Sequence, residues 1–268
     1  MQPTSELDRP DLLAKTFRSM GTVVSLTVPA ATGDRSPAAE AALAEAAGVV
    51  ERRFLELDAR FSLYRTGSEA SRLARGELSL RGASQEFRDR YAEAAEWRLL
   101  TEGAFTPERP DGVPDLSGLV KGFAIQEAGA ALHSLGLRDW CLNAGGDVLV
   151  AGSPIAGSSA SWQAGIVDPQ DRRTLIAAFP LGGGSGFGAL ATSGSAERGD
   201  HIWTRGSGAS EFRQVTVVAA DIVTADVLAT AVVAGGVQML NRATSGWDVE
   251  VLAIRTDGGM LATPGFRA

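Results

Sequence analysis

Asp221-Ile-Val-Thr-Ala-Asp226-Val-Leu-Ala-Thr230-Ala-Val-Val-Ala-Gly235 is the stretch around which the chain is organised. Thr224 followed by Ala225 and Asp226 reads as a helix start, a hydroxyl cap with a carboxylate in the first turn. Gly235-Gly236 reads as a break in that helix. Asp226 and Thr230 are four residues apart, so their side chains share one face. The remaining positions are almost all Ala, Val or Leu, which places the helix in a core. A carboxylate there must be paired, hydrogen-bonded or bound to a cation. With a hydroxyl at this spacing and backbone carbonyls nearby, it suits a hard ion such as Mg²⁺. On this stretch alone the simpler alternative, a capping Asp and a back-bonded Thr in an ordinary core helix, is the better reading.

Outward from this helix, Val215 to Ala219 reads as the strand that feeds it, and Val249 to Arg255 as a core strand after it. Met260-Leu261 is a candidate edge strand. Upstream, Trp162 to Val167, Thr174 to Leu181 and Ala189 to Thr192 read as strands. Thr192-Ser193-Gly194 offers two hydroxyls and a glycine to a phosphate. Trp140 to Leu142 and Val148 to Ala151 are strands joined by the Gly-rich turn Asn143-Ala-Gly-Gly-Asp147, which suits either a hairpin or a ligand contact. Asp115-Leu-Ser-Gly-Leu-Val-Lys121-Gly leads into a helix ending near Gly136. Ser117 is its expected cap, and the first-turn amides around Gly118 would face an anion.

In the first third, Phe17 to Val28 reads as one strand carrying Met20-Gly21-Thr22, where glycine permits a bulge or a close ligand approach. Ser36-Pro37 opens a helix to about Asp58. Ser68 to Arg75 is a short helical turn, and Ser84 caps a helix to about Thr101. Gly103 to Pro114 is a loop. Residues 1 to 14 are expected to be a disordered tail and 15 to 268 one domain. Strands and helices do not alternate regularly, which excludes a doubly wound or barrel arrangement. The expected fold is α+β with largely antiparallel or mixed sheets and packed helices. Strand, glycine turn and helix recur in both halves, which suggests an internal duplication.

Composition narrows the function. The 268 residues are 44% hydrophobic and 21% charged, with a net charge of −7, which argues against a nucleic-acid-binding surface. No apolar run reads as long enough for membrane insertion. Met1 to Lys15 contains neither an apolar signal core nor a lipidation cysteine, so the expected location is cytoplasmic. One cysteine and two histidines argue against a Cys/His zinc centre. Of 25 basic residues, Lys15 and Lys121 are the only lysines. Where arginine serves everywhere else, the lysine inside a motif points to a need for a compact ammonium.

Taken in order, Met20-Gly21-Thr22, Phe61-Ser62, Gly103-Ala-Phe105-x-Pro107, Asp115-Leu-x-Gly118-x-x-Lys121-Gly122, Asn143-Ala-Gly-Gly-Asp147, Thr192-Ser-Gly194, His201 and Ala225-Asp226-x-x-Ala229-Thr230 resemble the FAD:protein FMN transferase (ApbE) family. The pieces are individually unspecific and jointly specific, and they span most of the chain. The resemblance implies a T-fold-like architecture. It also implies Mg²⁺-dependent cleavage of FAD as substrate, attachment of FMN by a phosphoester to a Thr or Ser of a flavin-accepting target protein, and release of AMP. By the same resemblance Asp226 and Thr230 would hold the metal through side chains, and Gly118 and Ala229 through backbone carbonyls. Met20, Tyr64, Ala104, Phe105, Thr106, Asp115, Lys121 and Trp203 would contact FAD. His201 is the first candidate for the catalytic base and Asp226 the second.

Three departures qualify the match. The stretch from Phe105 to Asp115 is shorter than the family's. Thr106 and Gln126 stand where Asp is expected. Trp203-Thr204-Arg205 replaces a hydrophobic-Asp-Pro run after His201. Two alternatives therefore accompany the transferase: an FAD pyrophosphatase giving FMN and AMP, and a catalytically silent FAD-binding protein.

Overall fold

The structure, a computed structural model, describes residues 10–30, 34–194 and 210–266. Its centre is an eight-stranded sheet in the order β1-β2-β3-β4-β7-β8-β9-β10, with every neighbouring pair antiparallel. The strands are β1 Leu12–Ser19, β2 Thr22–Pro29, β3 Trp140–Ala144, β4 Asp147–Ala151, β7 Ala189–Gly194, β8 Phe212–Ala219, β9 Glu250–Arg255 and β10 Met260–Ala262. β5 Trp162–Val167 and β6 Leu175–Leu181 form a separate hairpin. Five α-helices complete the described residues: α1 Pro37–Phe61, α2 Glu69–Ala74, α3 Gln85–Leu100, α4 Ser117–Ser134 and α5 Ile222–Gly246.

The period-2 alternation of the strands divides the core into two layers. Ala189 and Ala191 of β7, Val217 and Ala219 of β8, and Val251 and Ala253 of β9 join the larger core under the helices. The residues between them, Leu190, Val218 and Leu252, face the other way and pack with Trp162, Ile166, Phe179 and Leu181 of the β5–β6 hairpin. Small residues of β7 lie on the helix side, where α5 packs against β7 and β8 and against α4. Cys141 packs with the hairpin-side core, and burial pushes its thiol up to about 12.

Helical connections join β2 to β3 and β8 to β9, at matching places in the two groups of four strands. The recurrence read from the sequence goes no further than that placement. The first connection carries four helices and the second carries one, and β5 and β6 have no counterpart.

Several local expectations are corrected. Phe17 to Val28 is not one strand but parts of β1 and β2, folded back at Met20-Gly21 with Ser19 opposite Thr22. Met20 has φ +49° and Gly21 φ +72°, the left-handed pair that a two-residue hairpin turn needs. Methionine rarely adopts that conformation, so only Gly21 hinted at the turn. Leu12 to Ala14, expected in the tail, pair instead with Thr27 to Pro29, and Leu13 is buried, while residues 1–9 lie outside the described residues. Lys15 is accordingly an exposed residue of β1.

The long helix starts earlier than Thr224. Asp221 is its cap, and its carboxylate accepts the Thr224 amide at 2.8 Å. The break at the paired glycines is real: Gly236 has φ +62° and ψ −154°, and helical conformation resumes after it. A Cβ at Gly236 would lie 2.1 Å from Glu211 Oε1, so no other residue fits the kink without rearrangement. By length and composition α5 is apolar enough to cross a bilayer, contrary to the expectation that no run is. Its apolar residues are instead spent on the core, as its packing on β7, β8 and α4 requires.

Candidate functional site

The site forms where α4 and α5 approach each other over the sheet. Asp226 lies in the second turn of α5 and is 2% exposed. Facing it is Gly122 of α4, whose amide donates to Asp226 Oδ2 at 3.1 Å. In a regular helix that amide would point at the Gly118 carbonyl, so the carboxylate shares the donor and relieves demand on that carbonyl. The contact needs glycine. A Cβ at position 122 would sit 3.3 Å from Asp226 Cβ, Asp226 Oδ2 and the Ile222 carbonyl alike. Gly122→Ala is therefore expected to destabilise the fold by about 1–3 kcal/mol, the usual range for overpacking. Urea unfolding measures it, and unchanged stability would mean that the helices separate without cost.

One residue before Gly122, Lys121 is 8% exposed and turned inward. Its ammonium pairs with Asp147 Oδ2 and lies 3.5 Å from Asp226 Oδ1. Asp147 is the first residue of β4 and is completely buried. Its second oxygen accepts the Thr192 amide of β7 at 3.1 Å. Thr192 Oγ1 bonds Thr216 Oγ1 at 2.9 Å, and Ser193 Oγ bonds Thr230 Oγ1 at 3.0 Å. The expected phosphate stretch Thr192-Ser193-Gly194 thus lies beside the carboxylates, linked to both Asp147 and Thr230.

The electrostatics follow from a charge count. The Lys121 ammonium lies within ion-pair reach of both buried carboxylates, so three charges meet in a place that water barely reaches. Buried carboxylates of this kind are held by hydrogen bonds, ion pairs or bound cations. Asp226, Thr230 and Ser193 supply only oxygen donors, which fit a small hard cation. Among the described residues no group of three His, Cys, Asp or Glu side chains is placed to hold a metal ion.

Lys121 also lines a cavity of about 820 Å³, within the range of cofactor sites. Of the residues expected to contact FAD, the structure brings Met20, Tyr64, Asp115 and Lys121 to this cavity. Tyr64 is 84% exposed, presenting a ring to whatever enters. Arg65 and Arg109 line it too and were not singled out by the sequence. Arg65 pairs with Asp58 at 2.5 Å and Arg109 with Asp111 at 3.1 Å.

Ala104, Phe105 and Thr106 are not among the described residues that line this cavity. Phe105 is 3% exposed, and its ring lies 3.1 Å from where a Gly118 Cβ would be. Ala104 sits against Gly235, and Thr106 Oγ1 accepts the Glu108 amide at 3.3 Å. The shortened segment that follows is a small hairpin. Glu108 bridges Pro114, Arg109 N donates to the Val113 carbonyl at 2.9 Å, and Asp115 N donates to the Pro107 carbonyl at 2.8 Å. Tyr91 of α3 pins it by donating to Glu108 at 2.5 Å. Burial first, and that bond second, push the Tyr91 hydroxyl up to about 12, so it stays a donor. Ser117 is the first residue of α4 and not its cap: Leu116 holds the cap position without a side-chain capping bond, and Asp115 Oδ1 accepts the Ser117 amide at 3.0 Å. His201 and Trp203 lie outside the described residues, as do Thr204 and Arg205.

The ApbE family profile matches residues 108–252, more than half the chain. A "FAD:protein FMN transferase" of Rhodobacter capsulatus is 34% identical over 165 residues, covering 58% of this chain and 30% of that protein. The flavin transferase ApbE of Vibrio cholerae is similar in structure, with a TM-score of 0.73 at 22% identity over 97% of this chain and 99% of that one. The ApbE protein of Thermotoga maritima gives a TM-score of 0.72 at 20% identity over 96% and 98%. The apo flavinyl transferase ApbE of Pseudomonas stutzeri gives 0.72 at 18% over 98% and 99%. The profile runs from the 107–114 hairpin, through Lys121, Asp147 and Asp226, to β9, so it takes in all three charged residues that meet in the site, and the chain belongs to the ApbE family.

Proposed function

We propose that this chain is an FAD:protein FMN transferase that moves FMN from FAD onto a Thr or Ser hydroxyl of a target protein. The observation that carries the reading is the meeting of Lys121 and the buried Asp226 beside a cavity of about 820 Å³. The curated relative named for this activity supports it. In the reaction the acceptor oxygen forms a bond to the FMN phosphorus. The bond from that phosphorus to the bridging oxygen breaks, AMP leaves with it, and the acceptor proton passes to a base. Transfer of this kind is mostly a matter of positioning and charge neutralisation.

The chain's own groups fit those tasks. The cavity takes the dinucleotide, with Tyr64 offering an aromatic face and Asp115 and the arginines its polar rim. Lys121 holds a fixed positive charge at the cavity wall, where the diphosphate would lie. Asp226 and Thr230, with Ser193 and the carbonyls of Gly118 and Ala229, would hold Mg²⁺. Bound there, Mg²⁺ would neutralise charge on the diphosphate oxygens. We assign the base to His201 first and to Asp226 second.

The test is incubation with FAD, Mg²⁺ and a flavin-accepting domain, followed by mass spectrometry. A gain equal to FMN on the acceptor, with AMP released, is the expected result. The compact 107–114 hairpin favours one second reading, an FAD pyrophosphatase with water as acceptor, because a short wall leaves the cavity mouth open. FMN and AMP formed without any acceptor modification would select that reading, and unaltered FAD would refute both.

A further inference from the structure

We infer that Arg65 binds the diphosphate of the dinucleotide and that Asp58 is the positioning residue that aims it. This rests on the reading of the cavity of about 820 Å³ as the FAD site given above. Arg65 and Asp58 both line that cavity, and neither stood out in the sequence. Arg65 Nε donates to Asp58 Oδ2 at 2.5 Å. That bond takes one of the five guanidinium N–H groups and fixes the plane of the other four. Among the described residues, the two terminal nitrogens of Arg65 have no hydrogen-bond or ion-pair partner. Lys121 and Arg109 differ, since their terminal nitrogens already pair with carboxylates.

The pair is anchored at one end and open at the other. The Asp58 side chain, in the last turn of α1, is 14% exposed, and the Arg65 side chain is 50% exposed. The backbone under Arg65 is also held. Ser68 Oγ donates to the Ser62 carbonyl at 2.5 Å, and the Ser68 amide donates to the Arg65 carbonyl at 3.0 Å. Arg75 Nη2 donates to the Thr66 carbonyl at 2.9 Å. The 62–68 turn is therefore tied to itself and to the cap residue that ends α2. A guanidinium fixed in this way presents planar donors to two oxygens at once, the geometry that a phosphate accepts. Because the fork is already oriented, little ordering is left to be done on binding. Asp58 need not touch the substrate to achieve this.

The test is equilibrium binding of FAD by calorimetry, with ADP as a second probe that carries a diphosphate without the flavin. Arg65→Met is expected to weaken FAD binding by about 10- to 100-fold, the scale of one charge-assisted pair. ADP affinity is expected to fall by the same factor. Asp58→Ala leaves the fork unaimed and is expected to weaken both ligands by about 3- to 10-fold. In the Arg65→Met background the same change is expected to cost nothing further, because no guanidinium is left to orient. Additive losses in the double variant would make Asp58 a merely structural residue and overturn its positioning role. A loss for FAD with ADP unaffected would put Arg65 against the flavin. Unchanged FAD affinity in Arg65→Met, with a raised KM for a flavin-accepting domain, would put it against the acceptor. Either result would overturn the inference while leaving the cavity as the FAD site. A parent protein that binds neither FAD nor ADP would overturn the reading of the cavity and this inference together.

Discussion

Asp226→Ala is expected to abolish FAD turnover, with a fall of at least about 10³-fold, while the protein remains folded. The size of the loss follows from what one preorganised electrostatic group contributes where charge must be stabilised in a dry site. Asp226 is the only carboxylate on the apolar helix face that meets α4, and it would carry the charge of the metal site. The fold tolerates the change because Lys121 keeps Asp147 as its partner. What is lost structurally includes the ion pair with Lys121 and the bond from the Gly122 amide, about 0.5–1.5 kcal/mol for the latter. Calorimetry of FAD binding with and without Mg²⁺ separates this outcome from general damage. Undiminished Mg²⁺-dependent FAD affinity in a folded Asp226→Ala protein would refute the assignment.

Lys121→Met has the opposite profile, a large loss of stability. It leaves Asp147 and Asp226 facing each other without the ammonium they share. Removing one partner of a buried ion pair typically costs about 3–5 kcal/mol, because the remaining charge stays buried. The penalty should depend on divalent cations. A cation that binds the folded site stabilises it by mass action, by about 2.7 kcal/mol at one hundred times its dissociation constant. Urea unfolding of Lys121→Met is therefore expected to shift to higher midpoints in Mg²⁺ by more than the parent protein does. Arginine is not expected to substitute, since a planar fork does not fit a slot in which the ammonium is 8% exposed. A Lys121→Met protein as stable as the parent without Mg²⁺ would show that the two carboxylates do not burden the fold.

Local grammar made much of this chain legible. Ser36 and Ser84 cap α1 and α3 as read, because a cap is settled within three residues of itself. The Gly235-Gly236 break and the shared face of Asp226 and Thr230 were readable for the same reason. Errors began where two local solutions compete. Asp221 and Thr224 can each cap a helix, and the extended backbone of Asp221 at the end of β8 decided for the former. Phe17 to Val28 alternates and is rich in β-branched residues towards its end, and only Gly21 hinted at where the chain would reverse.

The sequence by itself determined the elements, their polarity and the residues with unusual chemistry: an aspartate on an apolar helix, a lysine in a chain that otherwise uses arginine, and paired glycines before Asp147. Tertiary structure alone decided which of these meet. Lys121, Asp147 and Asp226 come from α4, β4 and α5, and their charges find one another only when β4 pairs with β7 and α5 packs on both β7 and α4. Arg65 and Arg109 carry no motif yet line the cavity, whereas Phe105, which carries one, packs against Gly118. The physical reason is that propensity and capping act over one or two turns of chain, whereas burial of a charge and the choice of its partner are set by contacts between residues far apart in sequence.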